Sequence, residues 1–147
     1  MANNKVLSIK NIANQTIKFE VVAGVIIKDK KVLMCRSRGN EHYYCPGGKL
    51  EAGESYEQAM IRECKEEIDI DLIPDSIQKF SRFEADAYGF KEPRIVIMNC
   101  YQFDFTGEIK ACGEINDIIW CSSKDAERLA PAGKVLLAEL KEKALIE

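Results

Sequence analysis

The chain has 147 residues, 46% of them hydrophobic and 31% charged, with a formal net charge of −3. That length is enough to bury one core without disulfide or metal staples, and the charge balance excludes a basic field for nucleic acid or anionic membranes. No apolar run approaches the ~20 residues that cross a bilayer, and MANNKVLSIK lacks the basic-then-apolar order of a signal peptide. The expectation is a cytoplasmic protein with neither membrane nor nucleic acid as partner.

The sequence shows no internal repeat, low-complexity stretch or linker, so residues 1–147 read as one domain. Residues 1–16 stand apart as an N-terminal extension: an extra strand, a dimer contact or a loose arm. A homodimer is left open. Residues 17–28, IKFEVVAGVIIK, are rich in β-branched side chains and predict a strand. KDKK is a polar turn, and VLMCRS (32–37) is the return strand of a hairpin. RGNEHYYCPGG is a loop in which Pro46 holds Cys45 extended.

Helical spacing begins near Ser55, with Ile61, Cys64 and Ile68 on one apolar side. Pro74 ends that region. Residues 80–88 and 93–105 predict two long strands joined by a GFKEP turn, and 116–121 another. A helix follows from about Ala132 to Ile146, with Leu136, Leu137, Leu140 and Ala144 facing inward. This mixture predicts an α/β (α+β) fold of layered α/β/α type. The six cysteines include no CxxC pair. They read as small buried hydrophobes in a reducing compartment.

The segment whose residue types point to chemistry is GGKLEAGESYEQAMIRECKEEIDI, residues 47–70. Glu63, Glu66 and Glu67 share a helix face. Three carboxylates so close repel one another and raise one another's pKa. A hard divalent cation such as Mg²⁺ or Mn²⁺ would relieve the strain. Taken alone, RECKEE also suits a solvated helix face. The preceding glycine loop and Glu54 favour a site.

The spacing from Gly48 through Glu54, Arg62-Glu63 and Glu66-Glu67 to Ile70 is G-x5-E-x7-R-E-U-x-E-E-x-G-U, where U is bulky and apolar. It resembles the Nudix box, the signature of the Nudix hydrolase family. Two positions depart from it: Cys64 stands at a U, and Asp69 replaces the late glycine, at a left-handed terminus that Asp tolerates better than most residues.

The resemblance implies a mixed sheet sandwiched between helices, and hydrolysis of a nucleoside diphosphate linked to another group, with water attacking phosphorus assisted by Mg²⁺ or Mn²⁺. It implies Glu66 and Glu67 as metal ligands, Glu63 as a further ligand or water-orienting group, and the carbonyl of Gly47 or Gly48 in the metal shell. Glu54 and Arg62 resemble the ion pair that holds the loop–helix geometry. Beyond the box, Glu114 stands six residues before Trp120; in MutT-like members a Glu there reaches the metal or acts as base. The C-terminal LAPAGKVLLAEL resembles the MutT and CTP pyrophosphohydrolase subgroup.

Gly133 falls where MutT-type enzymes for oxidised guanine carry a base-reading Asn, which argues against that substrate. Arg36 and Arg38 are candidates for gripping phosphate, because guanidinium forks match phosphate oxygens. Tyr43, Tyr44 and Phe80 are candidates for a base pocket, though core packing is the favoured use for at least two of them. Tyr88 lies at a spacing seen in dinucleoside polyphosphate hydrolases. His42, the single histidine, sits in a polar loop and is not needed as a base when a Glu can serve.

The leading expectation is a Mg²⁺-dependent pyrophosphohydrolase acting on a nucleoside triphosphate. The alternatives are another nucleotide conjugate (dinucleoside polyphosphate, nucleotide sugar or ADP-ribose) and a non-catalytic nucleotide-binding module. The module reading is opposed by the retention of Glu54, Glu63, Glu66 and Glu67.

Overall fold

A computed structural model describes residues 16–147 apart from residue 88. The expectations for the N-terminal extension and for Tyr88 lie outside the described residues. Strand β1 (Ile17–Gly24) does not run on to residue 28 as predicted. After Gly24 the Val25 N–H donates to the Tyr101 carbonyl, while the Ile26 carbonyl accepts from Leu33 N–H. The chain thus leaves one sheet and enters a second as β2 (Ile27–Lys28). Asp29 and Lys30, with φ of 52° and 62°, make the two-residue turn into β3 (Lys31–Ser37). Two successive left-handed residues match the twist of a tight hairpin.

The loop expected up to the glycines contains a short strand, β4 (Gly47–Lys49), antiparallel to β1. Helix α1 (Tyr56–Ile68) starts at Ser55, whose hydroxyl accepts from Gln58 N–H while the Gln58 side chain accepts from Ser55 N–H. This reciprocal cap satisfies two otherwise orphaned donors. The helix ends on Asp69 in the left-handed conformation, as expected for a stand-in for glycine. Ala59 and Met60, which blur the predicted stripe, are fully buried beside Cys64 and Ile68, whereas Ile61 is only half-buried.

Beyond Pro74, β6 (Gln78–Asp86) and β7 (Arg94–Gln102) form the predicted antiparallel pair. The predicted second strand splits: Phe105–Thr106 (β8) pairs instead with Asp71–Leu72 (β5). Strand β9 (Ile115–Cys121) pairs with β3. Helix α2 (Pro131–Glu142) begins with Pro131 in its first turn, a position that needs no N–H. It stops short of Ile146, because Ala144 takes a φ of 59°. Ala144 is therefore exposed rather than inward-facing, and Ile146 is buried in its place.

The main sheet has the order β4-β1-β7-β6, with β1 parallel to β7 and the other pairs antiparallel; β2-β3-β9 forms the second sheet. Alternation along each strand sends side chains to two cores. Ala23, Val96, Met98 and Cys100 pack with Leu136, Leu137 and Leu140 of α2. Val22, Leu33 and Tyr101 pack with Met60, Cys64 and Ile68 of α1. The sheets thus lie between the two helices, the layered architecture expected. All six cysteines are free; five are buried and Cys112 is half-buried. Burial pushes the Cys100 and Cys121 thiols up to about 12 and about 11, which keeps them unreactive at neutral pH.

Candidate active site

The acidic face of α1 is held against the glycine loop by one cation. Arg62 Nε and Nη2 donate to Glu54 at 2.7 and 2.9 Å. Nη2 also reaches the Lys49 carbonyl at 3.1 Å, and Nη1 reaches Glu63 at 2.8 Å and Glu66 at 3.3 Å. The hydrogen bonds from Arg62 hold the Glu54 carboxyl down at about 2. The paired carboxylates in turn push the guanidinium further up.

Glu67 lies deepest of the acids. Its carboxylate accepts the Gly47 N–H at 2.6 Å. Burial raises its pKa to about 8; the Gly47 N–H opposes the shift, and Glu63, Glu66 and Glu114 add to it. Glu63 is also raised by burial, against the pull of Arg62. A β-carbon on Gly47 would stand 1.9 Å from the Val22 carbonyl oxygen, and the residue has φ of +149°, so only glycine fits this turn. The glycine in turn sets the N–H that meets Glu67.

Glu114 reaches the same place from the far end of the chain. The loop before β9 docks on the C-terminus of α1: Lys110 N–H donates to Ile68 O at 3.1 Å and Cys112 N–H to Glu67 O at 2.9 Å. These bonds satisfy helix carbonyls that have no partner within the helix. As a result Glu63, Glu66, Glu67, Cys112, Gly113 and Glu114 line one cavity of about 460 Å³. The four acids singled out in the sequence are therefore neighbours.

Among the described residues no three acidic, histidine or cysteine side chains are already gathered at a cation's ligand spacing. The reason is local: Glu63 and Glu66 are turned onto Arg62, and Glu67 onto Gly47. The donor chemistry nevertheless fits a hard divalent cation, because every candidate donor is oxygen and the buried Glu67 carboxylate meets, among the described residues, a single N–H.

A second cavity, of about 250 Å³, is lined in part by Gly47 and Gly48, the residues that stand against Glu67 and Glu63 of the first. Its walls come from Phe19, Val21 and Ala23 of β1, Val96 and Met98 of β7, Phe90, Tyr44, and Ala132 and Gly133 of α2. Of the predicted aromatic wall only Tyr44 is present. Tyr43 is buried, with the guanidinium groups of Arg36 and Arg128 over its ring at 4.9 and 5.2 Å and its hydroxyl on Asp117. Phe80 lines a separate groove beside Tyr56 and Arg82.

Neither Arg36 nor Arg38 lines either cavity. Arg36 is cross-strand from Asp117 and pairs with it at 3.6 Å. Arg38 contributes its N–H to the Glu114 carbonyl at 3.1 Å, so its visible part is to place the loop that carries Glu114. Phe19, Phe90, Lys49 and Arg94, which cluster at the pocket mouth, escaped the sequence reading. Alternation along β1 puts Phe19 on the face of Val21 and Ala23, but nothing local marks Phe90.

The NUDIX domain model matches residues 18–140. The chain belongs to the Nudix hydrolase family. It is a hydrolase of pyrophosphate bonds in nucleotides, in the MutT-like part of that family. It is similar to an Escherichia coli protein described as CTP pyrophosphohydrolase, with 31% identity over 80% of this chain and 87% of the relative. It is also similar to the E. coli 8-oxo-dGTP diphosphatase, with 27% identity over 84% of this chain and 97% of the relative. The solution structure of the E. coli ORF135 protein superposes with a TM-score of 0.66 at 28% identity, covering 88% of this chain and 95% of that one. Among the described residues no helix of this Nudix protein is long and apolar enough to cross a membrane.

Proposed function

We propose that this Nudix hydrolase converts a nucleoside triphosphate to the monophosphate and pyrophosphate in a divalent-cation-dependent reaction. One observation carries the reading: Gly47 and Gly48 line an apolar, aromatic cavity and also stand against Glu67 and Glu63, two acids of the acid-lined one. A nucleotide has the matching polarity, with a flat apolar base at one end and phosphates at the other.

Glu63, Glu66, Glu67 and Glu114, with a main-chain carbonyl of Gly47 or Gly48, would hold Mg²⁺ or Mn²⁺. When bound, such a cation neutralises phosphate charge and acidifies water at the site. The chain's own residues set the geometry. Arg62 and Glu54 fix the glycine loop on α1, the Gly47 N–H orients the Glu67 carboxylate, and the Cys112 to Glu67 backbone bond keeps Glu114 beside it. A carboxylate of this group takes a proton from the attacking water, and the pyrophosphate leaves with the electrons of the broken P–O bond.

The overall likeness to the CTP and 8-oxo-dGTP enzymes favours a triphosphate over a dinucleotide or nucleotide sugar. The test is pyrophosphate and phosphate release across triphosphates, ADP-ribose, nucleotide sugars and diadenosine polyphosphates, with Mg²⁺ and with chelator. Chelator-sensitive pyrophosphate release from triphosphates is expected. Turnover of conjugates alone would replace this reading with the conjugate one.

A further inference from the structure

The pocket beyond Gly47 and Gly48 contains almost nothing that distinguishes one base from another. Its side-chain wall is Phe19, Val21, Ala23, Phe90, Val96 and Met98, closed by Ala132 and Gly133. Two of the few polar side chains around it, Asn40 and Cys45, have partners of their own. The Asn40 amide donates to Ser37 Oγ at 2.5 Å, and the Cys45 thiol faces Met34 sulfur at 3.8 Å.

Asp86 borders the pocket, but its register settles what it contributes. Asp86 is opposite Ile95, while Ala85 and Phe83 are opposite Val96 and Met98. The side chains of Val96 and Met98 face the pocket, so alternation turns the Asp86 carboxylate to the other face of the sheet. What remains is backbone. Among the described residues no side chain caps the start of α2, so the N–H groups of Ala132 and Gly133 are the donors at hand. A lone N–H donor ranks bases poorly, because every natural base displays acceptor atoms on its edges.

We propose that this pocket is base-permissive: it takes the planar base of either a pyrimidine or a purine nucleotide against Phe19 and Phe90, and ranks bases by contact area and not by hydrogen bonds. The two rings meet edge to face at 5.6 Å. Arg94 and Lys49 stand over Phe90 at 4.4 and 6.0 Å, which places positive charge at the mouth, where the phosphates would leave the pocket. Phe90 is 39% exposed and is the part of the wall that a base meets first. The inference rests on the proposed function for the place of the phosphates, but not for the make-up of the pocket.

Apolar pockets discriminate between related ligands by about 10- to 200-fold, whereas sites built to hydrogen-bond a particular group reach about 10⁴-fold or more. The test has two arms. In the first, CMP, UMP, AMP and GMP are titrated calorimetrically into the whole chain with Mg²⁺ present, which needs no turnover. In the second, kcat/KM is measured for the four triphosphates. The structure predicts a spread of no more than about 100-fold in each arm.

Phe90→Ala, on an exposed loop, should weaken all four monophosphates by a similar factor of roughly 5- to 100-fold, the range for loss of a base–aromatic stack. A single base preferred by more than about 100-fold, a loss confined to one base, or no binding of any monophosphate would overturn the proposal. If only conjugates are hydrolysed while the monophosphates bind with little base preference, the triphosphate reading fails and the permissive pocket stands.

Discussion

Glu67→Gln should raise stability and remove activity. The carboxylate is largely buried, and its pKa is raised from 4.5 to about 8. Between those values the folded chain holds a proton that the unfolded chain has lost. Stability of the metal-free protein therefore falls as pH rises from about 4.5 to about 8. At pH 7 the displacement is about 2.5 units, and at about 1.4 kcal/mol per unit the buried acid costs about 3 kcal/mol. Gln keeps an oxygen for the Gly47 N–H at 2.6 Å and has no charge to desolvate.

The variant should melt roughly 6–12 °C higher at pH 7 in chelator, at about 2–4 °C per kcal/mol for a chain of this size. The gain should vanish near pH 4.5. Thermal melts from pH 4.5 to 8.5 with chelator, alongside turnover with Mg²⁺, read both effects. A variant that is no more stable at pH 7, or whose gain does not grow with pH, would refute the account of Glu67 as a strained buried acid. Unchanged turnover would refute its place in the site.

Three further outcomes are expected. Gly47→Ala should lose activity and stability together, since its β-carbon meets the Val22 carbonyl oxygen; melts and turnover that match the wild type would count against the turn described. Glu54, held at about 2 by Arg62, contributes stability that is present above about pH 4.5 and lost as pH falls toward 2; Glu54→Gln should flatten acid unfolding in that window, as followed by circular dichroism. Gly133→Asn should raise preference for oxidised purines by placing an amide on the pocket wall. Its β-carbon comes within 3.2 Å of Leu129 Cβ, so some loss of melting temperature accompanies the change; an unaltered substrate ratio in a folded variant would argue against that placement.

The parts of this fold that could be read from sequence are those set by local chemistry. Ser55, the acids of α1 and Asp69 mark the helix start, face and end, because caps and periodicity act within a few residues. The α1 cluster was visible for the same reason. The break after Gly24 was not: Val25 and Ile26 have strong strand character, and what separates the sheets is a choice of distant partners, Tyr101 and Leu33.

The same limit applies to the site. Glu114 is reached from sequence only through the resemblance to MutT-like members, since the bonds that seat its loop run to helix carbonyls. Arg36 looked suited to phosphate, yet its cross-strand neighbour Asp117 claims it. Phe90 and Lys49 meet across a loop and a short strand that no periodicity links.

The central claim is that the acids of α1 hold the cation. Titrating Mn²⁺ into the chain and following free Mn²⁺ by electron paramagnetic resonance tests it without turnover. Saturable binding should weaken at least tenfold in Glu66→Gln and in Glu67→Gln, with the far-ultraviolet circular dichroism unchanged, in line with losing a charged oxygen donor. Equal affinity in wild type and both folded variants would contradict the account.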